Sequence, residues 1–308
     1  ERVPNIRLTD GMRIPIIGLG TYNIREQNVM DQVIEDAIDV GYRHIDTAYE
    51  YNNENLIGKS LRKLMDRQKI ERNDIFVTSK VWNTFHRRRK VVEGMRLSLK
   101  NLGLDYLDLA LVHWPMAYKE GTENHPKHAN GSSFDMNITV VETWRGMEDA
   151  YKLGLVKSIG VSNFNSEQLT RVLKETHIKP VVNQIECNPY ITQEKLVNFC
   201  KNRGIDVVAY SPIGRGDNEL LTEPMLMEMA NKYKKSVAQV IMRWLLQRGI
   251  AVIPKTTRKE RLIENKCLFD FKLTKQEMRR IFRLNKNKRI IALSEAVNNR
   301  EYPFLIPF

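Results

Sequence analysis

Eight short apolar runs, separated by stretches with apolar residues at helical spacing, restrict the fold more than any other feature of this sequence. The runs are Ile16 to Gly20, Arg43 to Asp46, Ile75 to Lys80, Leu107 to His113, Val156 to Val161, Val181 to Ile185, Val207 to Tyr210 and Ile250 to Pro254. Between them, Asn28 to Val40, Glu54 to Met65, Arg89 to Leu102 and Thr139 to Leu153 carry the period of an amphipathic helix. Strands alternating with helices form βαβ units, and eight such units close into a (β/α)8 barrel, an α/β fold. A length of 308 residues allows two domains, but α/β barrels of this size form one. Residues 1–308 are therefore expected to make a single catalytic domain, with no repeat, low-complexity segment or linker to divide it. The competing open doubly wound sheet normally carries Gly-x-Gly-x-x-Gly after its first strand, and Gly18-Leu-Gly-Thr-Tyr-Asn breaks that pattern at its last position. Ahead of the first run, Ile6-Arg-Leu and Met12-Arg-Ile-Pro flank Asp10-Gly11, the turn pair of a tight β-hairpin.

Composition narrows the class. No apolar run approaches the roughly 18 residues that span a membrane, so no membrane association is expected. Three scattered cysteines, Cys187, Cys200 and Cys267, suit reduced thiols in a cytoplasmic protein better than a disulfide framework. The sequence starts at Glu1, which leaves open a removed leader. A net charge of +12 raises the question of an acidic partner, with His86 to Lys90 and Asn285 to Arg289 as the basic clusters. Neither cluster has interleaved aromatics or a recognition module, so they are expected to be solvated surface charge, with no nucleic-acid partner. Asn130-Gly-Ser and Asn137-Ile-Thr fit the glycosylation pattern, which matters only in the secretory route.

In a (β/α)8 barrel the reactive groups lie at the C-terminal ends of the strands. Reading off those ends gives Asp46 with Tyr51 just beyond, then Lys80, His113, Ser162 and Asn163, Gln184, Tyr210 and Lys255. Each alone has a plain structural explanation: a turn residue, a rim aromatic, a solvent charge, a satisfied core histidine. Their convergence on one barrel face points instead to a catalytic centre.

The stretch Gly41-Tyr-Arg-His-Ile-Asp-Thr-Ala-Tyr-Glu-Tyr-Asn-Asn-Glu resembles the aldo-keto reductases, as do Gly154-Leu-Val-Lys-Ser-Ile-Gly-Val-Ser-Asn-Phe and Ile253-Pro-Lys-Thr-Thr-Arg-Lys-Glu-Arg-Leu-Ile-Glu-Asn. The resemblance spans nearly the whole chain. It implies an Asp, Tyr, Lys, His tetrad on Asp46, Tyr51, Lys80 and His113, with no metal, and an NADPH-dependent reduction of aldehydes or ketones to alcohols. His113 stands where relatives that reduce carbon-carbon double bonds resemble one another in carrying glutamate, so C=O chemistry is implied.

The physics of those residues agrees. Carbonyl reduction needs a hydride donor and an acid, and no side chain stores hydride. A tyrosine with pKa about 10 is a weak acid that burial weakens further. A lysine ammonium about 4 Å away opposes this by roughly 4 kcal/mol at an effective dielectric near 20. Lys80 is expected in that role, with Asp46 keeping it charged and Tyr51 donating the proton. A neutral His113 is expected to donate to the carbonyl oxygen and orient the substrate.

For the cofactor, the resemblance implies NADP(H) across the barrel mouth. It places the carboxamide on Ser162, Asn163 and Gln184, the stacked nicotinamide on Tyr210, and the covering loop at Ser211 and Ile213. Thr21, Tyr22 and Asp46 join these contacts, while Glu264 and Asn265 match the adenine contacts. Thr257-Arg-Lys-Glu260 reads as a capping box at a helix start. A helix N-terminus with Lys255, Thr256, Thr257 and Arg261 suits a 2′-phosphate, which favours NADPH over NADH, and Arg258 adds to that charge.

Two departures concern the substrate. Tyr22 replaces a tryptophan found in many relatives, and the surface loop from Gly214 to Leu221 is shorter than in the aldose-reductase-like members. A more open site for bulky or flat carbonyls is expected, lined by Tyr22, Trp82, His113 and Trp114. Aromatic or lipid-derived aldehydes, sugars and ketosteroids are the candidate small-molecule substrates, for a protein acting as a monomer. The tail from Arg300 to Phe308 either packs on the barrel or lines the pocket at its mouth. The rival function is a non-catalytic NADP(H)-binding subunit, structural or redox-sensing.

Overall fold

The computed structural model describes residues 3–306 and 308, which leaves Glu1, and with it the question of a leader, and Pro307 of the tail outside the described residues. The hairpin strands β1 (Asn5–Arg7) and β2 (Arg13–Pro15) pair antiparallel with Ile6 opposite Ile14. At the turn, Gly11 takes a φ of 92° and the Asp10 carboxylate accepts from the Met12 N–H at 3.0 Å. Leu8 and Ile14 then pack with Phe76, Leu109, Leu111, Val182 and Val208, so the hairpin plugs one end of the barrel interior.

The barrel strands are β3 (Leu19–Gly20), β4 (His44–Asp46), β5 (Phe76–Val81), β6 (Leu107–Val112), β7 (Val156–Ser162), β8 (Val182–Glu186), β9 (Asp206–Tyr210) and β10 (Ile250–Val252). All are parallel and neighbours in sequence order. The ends meet through parallel bridges between Ile17 and Val252 and between Gly20 and Lys255. The seam is held by Val252 N–H to Ile16 O, Gly18 N–H to Val252 O and Gly20 N–H to Pro254 O, at 2.9, 2.9 and 3.1 Å. Gly20 is needed there, because a Cβ would lie 2.8 Å from the Ile253 carbonyl oxygen.

Helices α1 (Gln27–Val40), α2 (Glu54–Asp66), α3 (Arg88–Leu102), α4 (Val140–Lys152), α5 (Ser166–Glu175) and α6 (Glu194–Lys201) fill the crossovers as far as β9. Their period explains their docking: in α1, Met30, Val33, Ile34, Ala37 and Ile38 recur at i, i+3, i+4, i+7 and i+8 and are all buried. The segment after β9, expected as a surface loop, has helical structure. It forms a 3-10 turn at Gly214–Gly216 and a one-turn helix α7 (Asn218–Leu221), because the Asp217 carboxylate accepts from the Glu219 N–H and pairs with Lys288. Helices α8 (Pro224–Tyr233) and α9 (Val237–Gln247) precede β10, and α10 (Lys259–Lys266) and α11 (Lys275–Phe282) follow it.

Both basic clusters are largely neutralised within the chain. Arg87, Arg88 and Lys90 pair with Glu120, Asp149 and Glu93, and Lys286 and Lys288 with Glu219 and Asp217. His86, grouped with them by sequence, is instead a buried residue. The tail is stapled to α5: Arg171 grips Glu301, Asn165 donates to the Pro303 carbonyl, and Ser166 donates to the Phe308 carbonyl. Phe304 meets Trp114 edge-on at 5.8 Å, so the tail lies near the mouth, behind its wall. No helix among the described residues is long and apolar enough to cross a membrane.

Candidate active site

Strand ends bring four ionisable groups together. Asp46 closes β4, Lys80 lies in β5, His113 directly follows β6, and Tyr51 ends a 3-10 turn (Tyr49–Tyr51) after β4. The Lys80 ammonium donates to Asp46 Oδ1 at 2.6 Å, to the Thr47 carbonyl at 2.8 Å and to the Tyr51 hydroxyl at 3.4 Å. The other Asp46 oxygen accepts from Gln184 Nε2 at 2.8 Å. His113 faces Tyr51 and Trp82 edge-on, with ring centroids 5.7 and 5.2 Å away.

Burial dominates the charge states. It lowers the Lys80 ammonium pKa, and the Asp46 carboxylate acts against that loss. Burial, then the Lys80 charge, holds His113 well below the ordinary imidazole range, so it is neutral at physiological pH. The Tyr51 hydroxyl is driven well above 10 by burial and then by the Asp46 charge. In the resting site desolvation prevails at Tyr51, because the ammonium that opposes it is 2.6 Å from a carboxylate and presents nearly a dipole to the phenol.

Asp46, Tyr51 and His113 line the floor of a cavity of about 590 Å³ at the C-terminal ends of the strands, with Lys80 buried beneath them. One wall is a hydrogen-bond chain: the Tyr210 hydroxyl donates to Asn163 Oδ1 at 2.7 Å, and Asn163 Nδ2 donates to the His113 carbonyl and to Ser162 Oγ at 3.0 and 3.1 Å. Ser162 Oγ donates to the Gln184 backbone carbonyl at 2.8 Å. Asn163 sits at φ 61°, the left-handed region that asparagine tolerates, which turns its amide inward. Tyr22, Trp82 and Trp114 also line the cavity, together with Ile291 and Leu293; Tyr22 is nearly half exposed and the tryptophans are buried.

Thr21, Ser211, Ile213, Lys255 and Arg261 line the same cavity. Lys255 and Arg261 are exposed and form no ion pair among the described residues. The expected capping box does not form: α10 starts at Lys259 with Arg258 as N-cap, and no side chain caps it. The Thr256 hydroxyl instead accepts from the Arg258 N–H at 3.1 Å, and the N-cap falls one residue beyond Thr257. Unpaired cations beside an uncapped helix N-terminus make a donor set suited to a phosphate. At the floor, the Gln184 and Asn163 amides provide groups matching a carboxamide, so the residues present fit a nicotinamide dinucleotide.

Four of the expected cofactor residues lie outside this lining. Thr256 and Asn265 are buried, Thr257 is exposed beyond the rim, and Glu264 accepts from the Ser236 hydroxyl at the start of α9. Sequence reasoning also missed residues that shape the site. Buried Asn53 donates to the Thr21 and Ile24 carbonyls at 2.8 and 3.2 Å and accepts from Thr47 Oγ1, which ties the loop after β3 to the turn bearing Tyr51. Arg215 reaches over the Tyr22 ring at 5.3 Å, and Glu50 pairs with His125 on the cavity wall. A polar residue two beyond Tyr51 was a visible signal for Asn53; nothing local marks the other two.

Comparison with known proteins agrees with this geometry. The model of the Aldo/keto reductase family matches residues 16–286. Aldose reductase C of Dictyostelium discoideum is 46% identical over 290 residues, covering 92% of this chain and 90% of that protein. The solved aldose reductase of Schistosoma japonicum superposes with a TM-score of 0.95 at 40% identity, covering 99% of this chain and 100% of that one. The Bombyx mori aldo-keto reductase AKR2E4, solved in complex with NADP, gives a TM-score of 0.90 at 43% identity, covering 98% and 99%.

Proposed function

The chain belongs to the aldo/keto reductase family and is an NADP-dependent oxidoreductase, and from that premise we propose that Tyr51 is the proton donor in the reduction of aldehyde or ketone carbonyls to alcohols, with Lys80, Asp46 and His113 supporting it. The observation that carries this reading is the Lys80 ammonium bridging the Asp46 carboxylate and the Tyr51 hydroxyl on a cavity floor.

NADPH, when bound, would supply the hydride for the carbonyl carbon. As negative charge grows on the carbonyl oxygen, the Tyr51 hydroxyl delivers its proton there, and water returns a proton to the phenolate afterwards. The high pKa of Tyr51 keeps it protonated until that moment. Lys80, 3.4 Å away, stabilises the phenolate as it forms, and Asp46 keeps Lys80 charged. Buried His113 Nδ1 has no hydrogen-bond partner, which favours the tautomer with the proton on Nε2, a donor for the carbonyl oxygen. Ser162, Asn163 and Gln184 would hold the carboxamide, Tyr210 would stack on the ring, and Lys255 and Arg261 would take the 2′-phosphate. All four catalytic groups come from one chain, which suits a single catalytic domain acting as a monomer. The cavity suits bulky or flat carbonyls: aromatic or lipid aldehydes, sugars or ketosteroids.

The test is NADPH oxidation, followed by absorbance, over a panel of aldehydes and ketones. Tyr51→Phe is expected to lose about 10²- to 10⁴-fold in turnover with NADPH binding retained. NADPH binding without turnover of any carbonyl by the intact protein would replace this reading with a non-catalytic cofactor-binding role.

A further inference from the structure

We infer that Glu50, steadied by His125 on the wall of the substrate cavity, is a charge-selecting residue that favours cationic carbonyl compounds over carboxylate-bearing ones. The inference rests on the proposed function and concerns which substrates that site accepts. Glu50 precedes Tyr51 on the 3-10 turn, and both Glu50 and His125 line the cavity. Glu50 Oε1 lies 3.1 Å from His125 Nε2, and the two residues are 75 apart in sequence. His125 packs on Trp82 at 5.0 Å, and Trp82 on His113 at 5.2 Å, so the pair stands one ring away from the reacting carbonyl.

The second Glu50 oxygen has no hydrogen-bond partner among the described residues, and its side chain is only 22% exposed. A carboxylate so placed accepts a charge-assisted bond from a substrate ammonium or hydroxyl and repels a substrate carboxylate, more strongly than on an open surface. Among the described residues no arginine or lysine of this lining forms an ion pair with Glu50. Asp46 is taken by Lys80, Arg215 lies over Tyr22, and Lys255 and Arg261 are the cations proposed to take the phosphate. Neutral apolar walls alone discriminate weakly between substrates of one size, whereas an added or removed charge contact discriminates strongly.

The test compares kcat/KM at saturating NADPH for 4-(trimethylammonio)benzaldehyde against its isostere 4-tert-butylbenzaldehyde, and for 4-carboxybenzaldehyde against 4-nitrobenzaldehyde. Intact protein is compared with Glu50→Gln and His125→Gln, so that the electronic effect of each substituent cancels within a substrate. Glu50→Gln is expected to lower the cation preference about tenfold and to relieve the carboxylate penalty about tenfold. His125→Gln, which keeps a hydrogen-bond donor to Glu50, is expected to preserve both ratios. Ratios that stay put in Glu50→Gln, or that move with His125 and not with Glu50, overturn the inference while leaving the reductase reading intact. Failure of the intact protein to reduce any of the four aldehydes overturns the proposed function, and the inference falls with it.

Discussion

Replacing Lys80 with methionine separates the structural from the chemical part of the central ion pair. The Lys80 and Asp46 side chains are 1% and 2% exposed, so Lys80→Met strands a buried carboxylate with Gln184 as its remaining donor. Breaking a buried pair from one side costs about 3–5 kcal/mol, while neutralising both partners is far milder. For 308 residues the unfolding entropy is ~0.65 kcal/mol per kelvin, so the single variant should melt about 5–8 °C lower. Adding Asp46→Asn should recover at least about half of that loss, because asparagine leaves no charge behind and can still face Gln184. Turnover should not recover: without the ammonium 3.4 Å from its hydroxyl, Tyr51 loses stabilisation of its phenolate, worth about 10²-fold or more in rate. Thermal unfolding and NADPH oxidation measured on the two variants check both halves. A double variant that melts no higher than Lys80→Met would refute the stranded-charge argument, and one that regains turnover would refute the role given to Lys80.

Two further outcomes follow from the same structure. Arg261→Leu should weaken NADPH binding about tenfold or more and change NADH binding little, since a charged hydrogen bond contributes about 1.5–3 kcal/mol; titration with each cofactor reads this, and equal losses for both would remove Arg261 from the 2′-phosphate. Burial holds the His44 pKa to about 4 and that of His86 to about 3, and lowers that of His113 further than an ordinary imidazole, while the unfolded chain protonates these groups below about 6.5. The unfolded state therefore binds more protons between about pH 4 and 6.5, and stability rises with pH through that window by about 1.4 kcal/mol per unit per group. Glu54 and Glu186, raised by burial, oppose this in its lower part. The melting temperature should be higher at pH 7.5 than at pH 5, with a shallower rise in His86→Phe; a flat profile in the intact protein would contradict the burial argument.

The sequence by itself determined the alternation of eight apolar runs with helical stretches, and hence the barrel. It also determined which residues end the strands, because a period near 2 or 3.6 and a strand terminus are local properties written in a few consecutive residues. Asp46, Lys80 and His113 were legible for that reason. The contacts that set their chemistry were not. Gln184 reaches Asp46 across 138 residues, Asn53 ties down Thr21 and Ile24, and Glu50 finds His125. The direction of the Tyr51 shift, the start of α10 beyond Thr257, and the helical form of the Gly214–Leu221 segment were likewise decided only by the fold. Desolvation and Coulomb interactions depend on distance in space, and barrel closure brings together strand ends whose separation along the chain carries no record of that distance.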